Sequence, residues 1–141
     1  PNALDHIGIF VDDLDAALPV YATLVGIEHH VLREVPELGL RLAFFRDQGG
    51  AIIELVEARG RSELRHGDVV VALEVTDLDA EIARLAAAGI HVHDQPATET
   101  LPLRRGWITK GGGHGTIIEL CPKGAVARFV DGALRSQTEV G

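Results

Sequence analysis

A chain that repeats a strand-to-helix motif 64 residues further on is constrained, above all, to fold as two copies of one unit. Leu4 to Leu18, LDHIGIFVDDLDAAL, and Val69 to Ile82, VVVALEVTDLDAEI, have the same shape. Val11-Asp12-Asp13-Leu14-Asp15-Ala16 lines up with Val75-Thr76-Asp77-Leu78-Asp79-Ala80. Ile118-Glu119-Leu120 echoes Ile53-Glu54-Leu55, 65 residues on. A repeat this long is a duplicated supersecondary unit, not a short solenoid period. At the first offset His6 falls on Val70.

Each copy reads as strand, helix, then three strands. From Leu4 to Val11 the residues alternate, with Ile7, Ile9 and Val11 on one side and His6, Gly8 and Phe10 on the other. Asp12 or Asp13 is expected to cap a helix that stops at Gly26. Pro19 inside it predicts a kink or a late start. Strands are expected at Glu28–Val35, Leu38–Arg46 and Ala51–Glu57, and Arg59–Asp68 reads as a linker. The second copy opens at Val69, with Asp77 capping a helix that ends at Gly89. Strands follow at Ile90–His93, Gly106–Lys110 and Thr116–Cys121, with a long loop over Asp94–Arg105. Ala125–Leu134 reads as a short amphipathic helix, and the last residues as disordered. The expected fold is α+β: tandem βαβββ modules, 3–58 and 68–122, form a curved, cleft-bearing mixed sheet. With a tail at 123–141 they make one domain.

Composition narrows the function. The formal net charge of -8 argues against nucleic-acid binding, which needs Lys and Arg to displace counterions, and against anionic membrane surfaces. No apolar run approaches the roughly 20 residues of a membrane-spanning helix, and no signal peptide is visible. The single cysteine, Cys121, excludes an internal disulfide framework and predicts a reducing, cytoplasmic setting.

The helices are expected to cover the face carrying Ile7, Ile9 and Val11. The other face carries His6, Gly8, Val70, Ala72, Glu74, Glu54 and Glu119. Unpartnered charge is costly to bury, so this face is expected to be an open cleft wall. His6 with the repeat mates Glu54 and Glu119 makes a donor set suited to Zn, Fe, Co, Ni or Mn. The competing reading pairs each glutamate with an arginine, such as Arg41 or Arg105, and makes His6 a satisfied core histidine.

DHIGIFVDDLDAA, AIIEL, ALEVTDLDAEIARLAAAGI and GHGTIIELCP together resemble the vicinal-oxygen-chelate superfamily, over roughly residues 4 to 123. That group includes glyoxalase I, methylmalonyl-CoA epimerase, extradiol dioxygenases and the bleomycin-resistance proteins. The opening and ending look most like the epimerases. The resemblance implies a divalent metal (Co, Ni, Zn, Mn or Fe) held by four strand residues, three of which match His6, Glu54 and Glu119. The other, typically histidine, falls on Val70, which cannot ligate. Three explanations remain open: a three-ligand site, a substitute histidine such as His66 or His114, or a metal-free binding cleft.

The chemistry implied is proton transfer beside a carbonyl, with charge developing on an enolate oxygen stabilised by the ion. Glu119 or Glu54 is a candidate base, and Glu74 another. The epimerases' further base matches Leu42, which cannot serve. The implied partner is a small molecule, such as an acyl-CoA, and a homodimer is expected. The alternative is a metal-free sequestering protein of the bleomycin-resistance type, which the 4% aromatic content disfavours because planar ligands need aromatic walls. His29-His30, His91 and His93 read as exposed edge residues, Cys121 as an inert buried thiol, and Arg104-Arg105 as a solvated pair or an anion contact. Trp107 reads equally as pocket lining or packing.

Overall fold

The computed structural model describes residues 1–61 and 63–140. The first copy is β1 (Ala3–Phe10), α1 (Leu14–Val25), β2 (Val31–Val35), β3 (Leu40–Arg46) and β4 (Ile52–Ala58). The second is β5 (Val69–Val75), α2 (Leu78–Ala87), β6 (His93–Gln95), β7 (Arg105–Ile108) and β8 (Ile117–Pro122), and α3 (Ala125–Val140) follows. The eight strands form one mixed sheet in the order β2-β3-β4-β1-β5-β8-β7-β6. This is the α+β fold of two βαβββ modules that the repeat predicts.

The repeat is carried into three dimensions at atomic detail. Asp13 caps α1 by accepting from the backbone N–H of Ala16, and Asp77 caps α2 by accepting from Ala80. Leu14 and Leu78, the first residue of each helix, are both buried. β1 pairs in parallel with β4, as β5 does with β8, and β1 and β5 join the halves antiparallel. His6 lies opposite Ile52 and Ala72, while Val70 lies opposite Ile117 and Gly8. Val70 therefore occupies, in its half, the place His6 holds in the other.

Several boundaries differ from the sequence reading. α1 is continuous from Leu14 through Pro19, so the proline neither delays its start nor ends it. β2 begins at Val31, and a 3₁₀ turn over Pro36–Leu38 separates it from β3. The expected strand Ile90–His93 is displaced to His93–Gln95. It stops where Pro96 removes the next ladder donor. The helix expected at Ala125–Leu134 runs to Val140; Gly141, the last of the residues expected to be disordered, lies outside the described residues.

The largest departure concerns the concave face. α1 and α2 pack on the convex side, where Leu14, Ala43, Phe45 and Leu55 gather in one half and Val75, Leu78, Val92 and Leu120 in the other. The face expected to be open is instead covered by α3. Val126 and Val130 are buried against Val31, Val35, Phe44, Val70 and Cys121, each such side chain contributing about 1.5–3 kcal/mol. Phe129 meets Phe44 edge to face, ring centroids 6.0 Å apart. Arg46 on β3 grips Asp131 of α3 with two bonds, Nε–Oδ1 2.8 Å and Nη2–Oδ2 2.9 Å. No helix among the described residues is long and apolar enough to cross a membrane.

Candidate metal centre

His6, Glu54 and Glu119 come from β1, β4 and β8 and meet beneath α3. Nε2 of His6 lies 3.4 Å from Oε1 of Glu54 and 3.2 Å from Oε1 of Glu119. Glycine at position 8 and alanine at 72 leave the space these longer side chains need. A Cβ on Gly8 would stand 3.3 Å from Cβ of Val70 and 3.5 Å from Oε1 of Glu54. The register of β1 against β5 shifts between Leu4 and His6. Such a bulge lets neighbouring side chains share a face, and Asp5 accordingly reaches His6, its Oδ2 2.6 Å from Nδ1. Arg105 adds Nη1 at 3.4 Å from Oε2 of Glu119, and Cys121 donates its S–H to Oε1 of Glu119 at 3.1 Å.

The face was expected to be open because unpaired charge resists burial. Here the charge is buried and paired: the side chains of His6, Glu54 and Glu119 are 1%, 7% and 2% exposed. Burial opposes protonation of His6, but the bonds to Asp5, Glu119 and Glu54 outweigh it and push the imidazole up to about 12. Burial, then the Glu119 charge, raises the Glu54 carboxyl. Burial also acts to raise Glu119, yet His6 and Arg105 hold it below the usual carboxylate range. Burial and the neighbouring Glu119 push the Cys121 thiol up.

The three donors fit a first-row divalent ion. Ligands about 2.0–2.2 Å from one ion stand roughly 3.0–3.5 Å apart at octahedral or tetrahedral angles, which matches both His6 distances. Metal-bound histidines commonly give their other ring nitrogen to a carboxylate, which fixes the tautomer and orientation; Asp5 stands in that place. His6, Glu54 and Glu119 form one candidate ligand group, and Asp5, His6 and Cys121 an overlapping one.

The structure does not bring the other candidates into this group. Val70 packs in the apolar layer. His66 and His114 are exposed on loops, so neither replaces the donor missing at position 70. Glu74 lies beside Cys121 near the end of β5, outside the group, opposite Ala3. Leu42 is fully buried. Arg41 pairs with Asp15 and Glu34 rather than with the central glutamates, whereas Arg105 does reach Glu119. Arg104 is a surface residue bound to Asp79 and Asp94. His91 and His93 are exposed and touch each other.

Asp5 escaped the sequence reading, because alternation turns it away from His6 and nothing in the sequence marks the bulge. Cys121 is the buried, protonated thiol the sequence predicts, and its spacing of two from Glu119 puts both on one face.

A profile of the Glyoxalase/Bleomycin resistance protein/Dioxygenase superfamily matches residues 5–105. Among solved structures, methylmalonyl-CoA epimerase from Mycobacterium tuberculosis is 28% identical. The match covers 88% of this chain and 90% of that one, with a TM-score of 0.72. A variant of the Streptomyces coelicolor methylmalonyl-CoA epimerase, in complex with 2-nitronate-propionyl-CoA, is 30% identical over 87% of this chain and 95% of its own, TM-score 0.72. A methylmalonyl-CoA epimerase in complex with methylmalonyl-CoA and NH4+ gives the same figures, 30%, 87%, 95% and 0.72. No curated protein matches.

Proposed function

Because the chain belongs to the Glyoxalase/Bleomycin resistance protein/Dioxygenase superfamily, we propose that it is a divalent-metal-dependent isomerase that moves a proton beside the carbonyl of a small acyl-CoA thioester. The observation that carries this reading is His6, with Nε2 between Glu54 and Glu119 and Nδ1 against Asp5. His6, Glu54 and Glu119 would hold the ion. When bound, a divalent ion supplies electrostatic stabilisation for negative charge developing on the substrate's carbonyl oxygen.

The chain's own residues do the rest. Glu119, kept ionised by His6 and Arg105, accepts the proton from the carbon beside the carbonyl. Glu54, whose carboxyl burial raises, stands on the other side of His6 and gives its own proton to that carbon. The proton taken by Glu119 then passes back to Glu54, which returns both carboxyls to their starting state. Asp5 holds the imidazole ring in place. The buried setting excludes bulk water, which strengthens each of these charges. Because Leu42 stands where the epimerases place a further base, the proton traffic in this chain falls to Glu54 and Glu119. A homodimer is the assembly we propose, to be checked by sedimentation.

The test is exchange of the α-proton of methylmalonyl-CoA or propionyl-CoA with deuterated water, followed by NMR, in protein loaded with Co or Zn. Exchange that needs the metal and disappears in Glu119→Gln supports the reading; no exchange with either thioester refutes it. Val70 favours one other reading, a metal-free protein that sequesters a small molecule on the same face. Tight thioester binding that is indifferent to metal, without exchange, would establish that instead.

A further inference from the structure

The second module carries two histidines that the centre beneath α3 does not use. His91 and His93 flank Val92 at the outer edge of the sheet, where β6 is the last strand. Ile90 and Val92 pack with Leu78 and Ile108 on the face that α2 covers. Alternation therefore turns His91 and His93 to the other face. The antiparallel register sets His93 opposite Trp107, and Trp107 opposite Glu119, so the pair stands on the rim of the concave face. Both imidazoles are exposed. Their ring centroids are 4.3 Å apart and their planes meet at 86°. Among the described residues neither ring has a hydrogen bond or an ion pair; each touches the other. The backbone that presents them is fixed. The N–H of Ile90 bonds to the carbonyl of Leu85 at 2.8 Å. Val92 sits so close to β7 that a Cβ on Gly106 would stand 2.7 Å from its Cγ1.

We propose that His91 and His93 form a second metal site, a surface chelate for one divalent ion of the imidazole-preferring kind: Cu(II), Ni(II) or Zn(II). Imidazole is the commonest protein ligand for such ions. Two rings held on one rigid edge act together: once the first nitrogen binds, the second is already at high effective concentration. Asp94, the next acidic residue in the chain, is turned to the opposite face by alternation and is held there by Arg104. The donor set is thus imidazole without carboxylate, which selects against Mg(II) and Ca(II) and favours Cu(II) over Ni(II) and Zn(II). Water fills the remaining coordination positions. The proposal does not rest on the proton-transfer reading, because neither histidine belongs to the His6 group.

The protein carries one tryptophan, and it lies across the ladder from His93. Cu(II) quenches indole emission at short range, so Trp107 reports on an ion held by the pair. The experiment titrates Cu(II) into His6→Asn protein, which lacks the central ring, and follows Trp107 emission. Nitrogen couplings in the EPR spectrum count the bound imidazoles. The expected result is a quench that saturates at one equivalent, with both imidazoles coupled to the ion. Either His91→Ala or His93→Ala is expected to weaken binding by about tenfold or more; both side chains are exposed, so neither change endangers the fold. Mg(II) in excess should not displace the Cu(II). Should His6→Asn fail to fold, the same titration of the parent and of the two alanine variants decides. No quench, a quench that survives either alanine substitution, or coupling to a single nitrogen overturns the proposal. A quench in the parent that vanishes in folded His6→Asn places the ion at the central group instead, which overturns the second site and leaves the proton-transfer reading standing.

Discussion

Asp5 holds Nδ1 of His6, its own chain neighbour, at 2.6 Å, because the irregular step in β1 turns both side chains to the same face. The pair leaves Nε2 as the ring atom directed at Glu54 and Glu119. Replacing Asp5 by Asn keeps the size and removes the charge. Partners of this kind are worth about 10- to 100-fold in metal affinity. Competition with a chromophoric chelator should show Asp5→Asn binding Co or Zn about 10-fold or more weakly than the parent. Unchanged affinity would mean that Asp5 merely satisfies a buried imidazole.

Val70 is related to His6 by the internal symmetry of the sheet, and faces Gly8, which has no side chain to obstruct it. Val70→His should supply the donor missing from the second half and tighten metal binding by about tenfold or more, by analogy with the loss of a supporting residue. The same chelator competition measures it. A variant that folds and binds no better would show that position 70 does not face the ion.

His6 makes the stability of the metal-free protein depend on pH. Its folded-state value is raised from 6.5 to about 12, so its contribution is fully present below about pH 6.5 and is lost as the pH rises toward 12. The melting temperature of metal-free protein should therefore fall between about pH 7 and pH 10. His6→Asn should flatten that slope. A parent protein equally stable across this range would refute the charged pairing of His6 with the surrounding carboxylates.

The latch between Arg46 and Asp131 is partly exposed, 33% and 39%, so it contributes about 1 kcal/mol or less. Cys121, fully buried within the layer that α3 covers, gives a readout for its release. Asp131→Ala should speed labelling of Cys121 by a thiol reagent about two- to fivefold under native conditions, through local opening rather than global unfolding. If labelling in both proteins follows global unfolding, α3 does not open on its own.

Much of this arrangement was legible in the sequence. The repeat placed Asp12 or Asp13, and Asp77, at helix starts and set His6, Glu54 and Glu119 on one face, because period-two alternation and a fixed offset survive folding unchanged. The bulge at Asp5 was not legible, since one unpaired residue leaves no compositional mark. Nor was the position of α3. Its apolar spacing shows that it buries one side, but not that Phe129 seeks Phe44 on a strand more than 80 residues earlier. The inference that charge keeps a face open failed for a related reason. The competing reading, with Arg105 as a partner of Glu119 and His6 buried, describes the pairing better, and which cation reaches which glutamate is decided only once distant strands are brought together.

A helix packed against both β2 and β8, the one in the first half and the other in the second, and bolted to β3 by Arg46 bridges the two halves for as long as it is seated. On the proposed reading, a ligand that reaches the face beneath α3 does so only after a segmental movement of this helix through solvent, slower than the breaking of any single contact. Thickening the medium with glycerol should then slow the proposed proton exchange, even though no bond made or broken at the centre responds to viscosity.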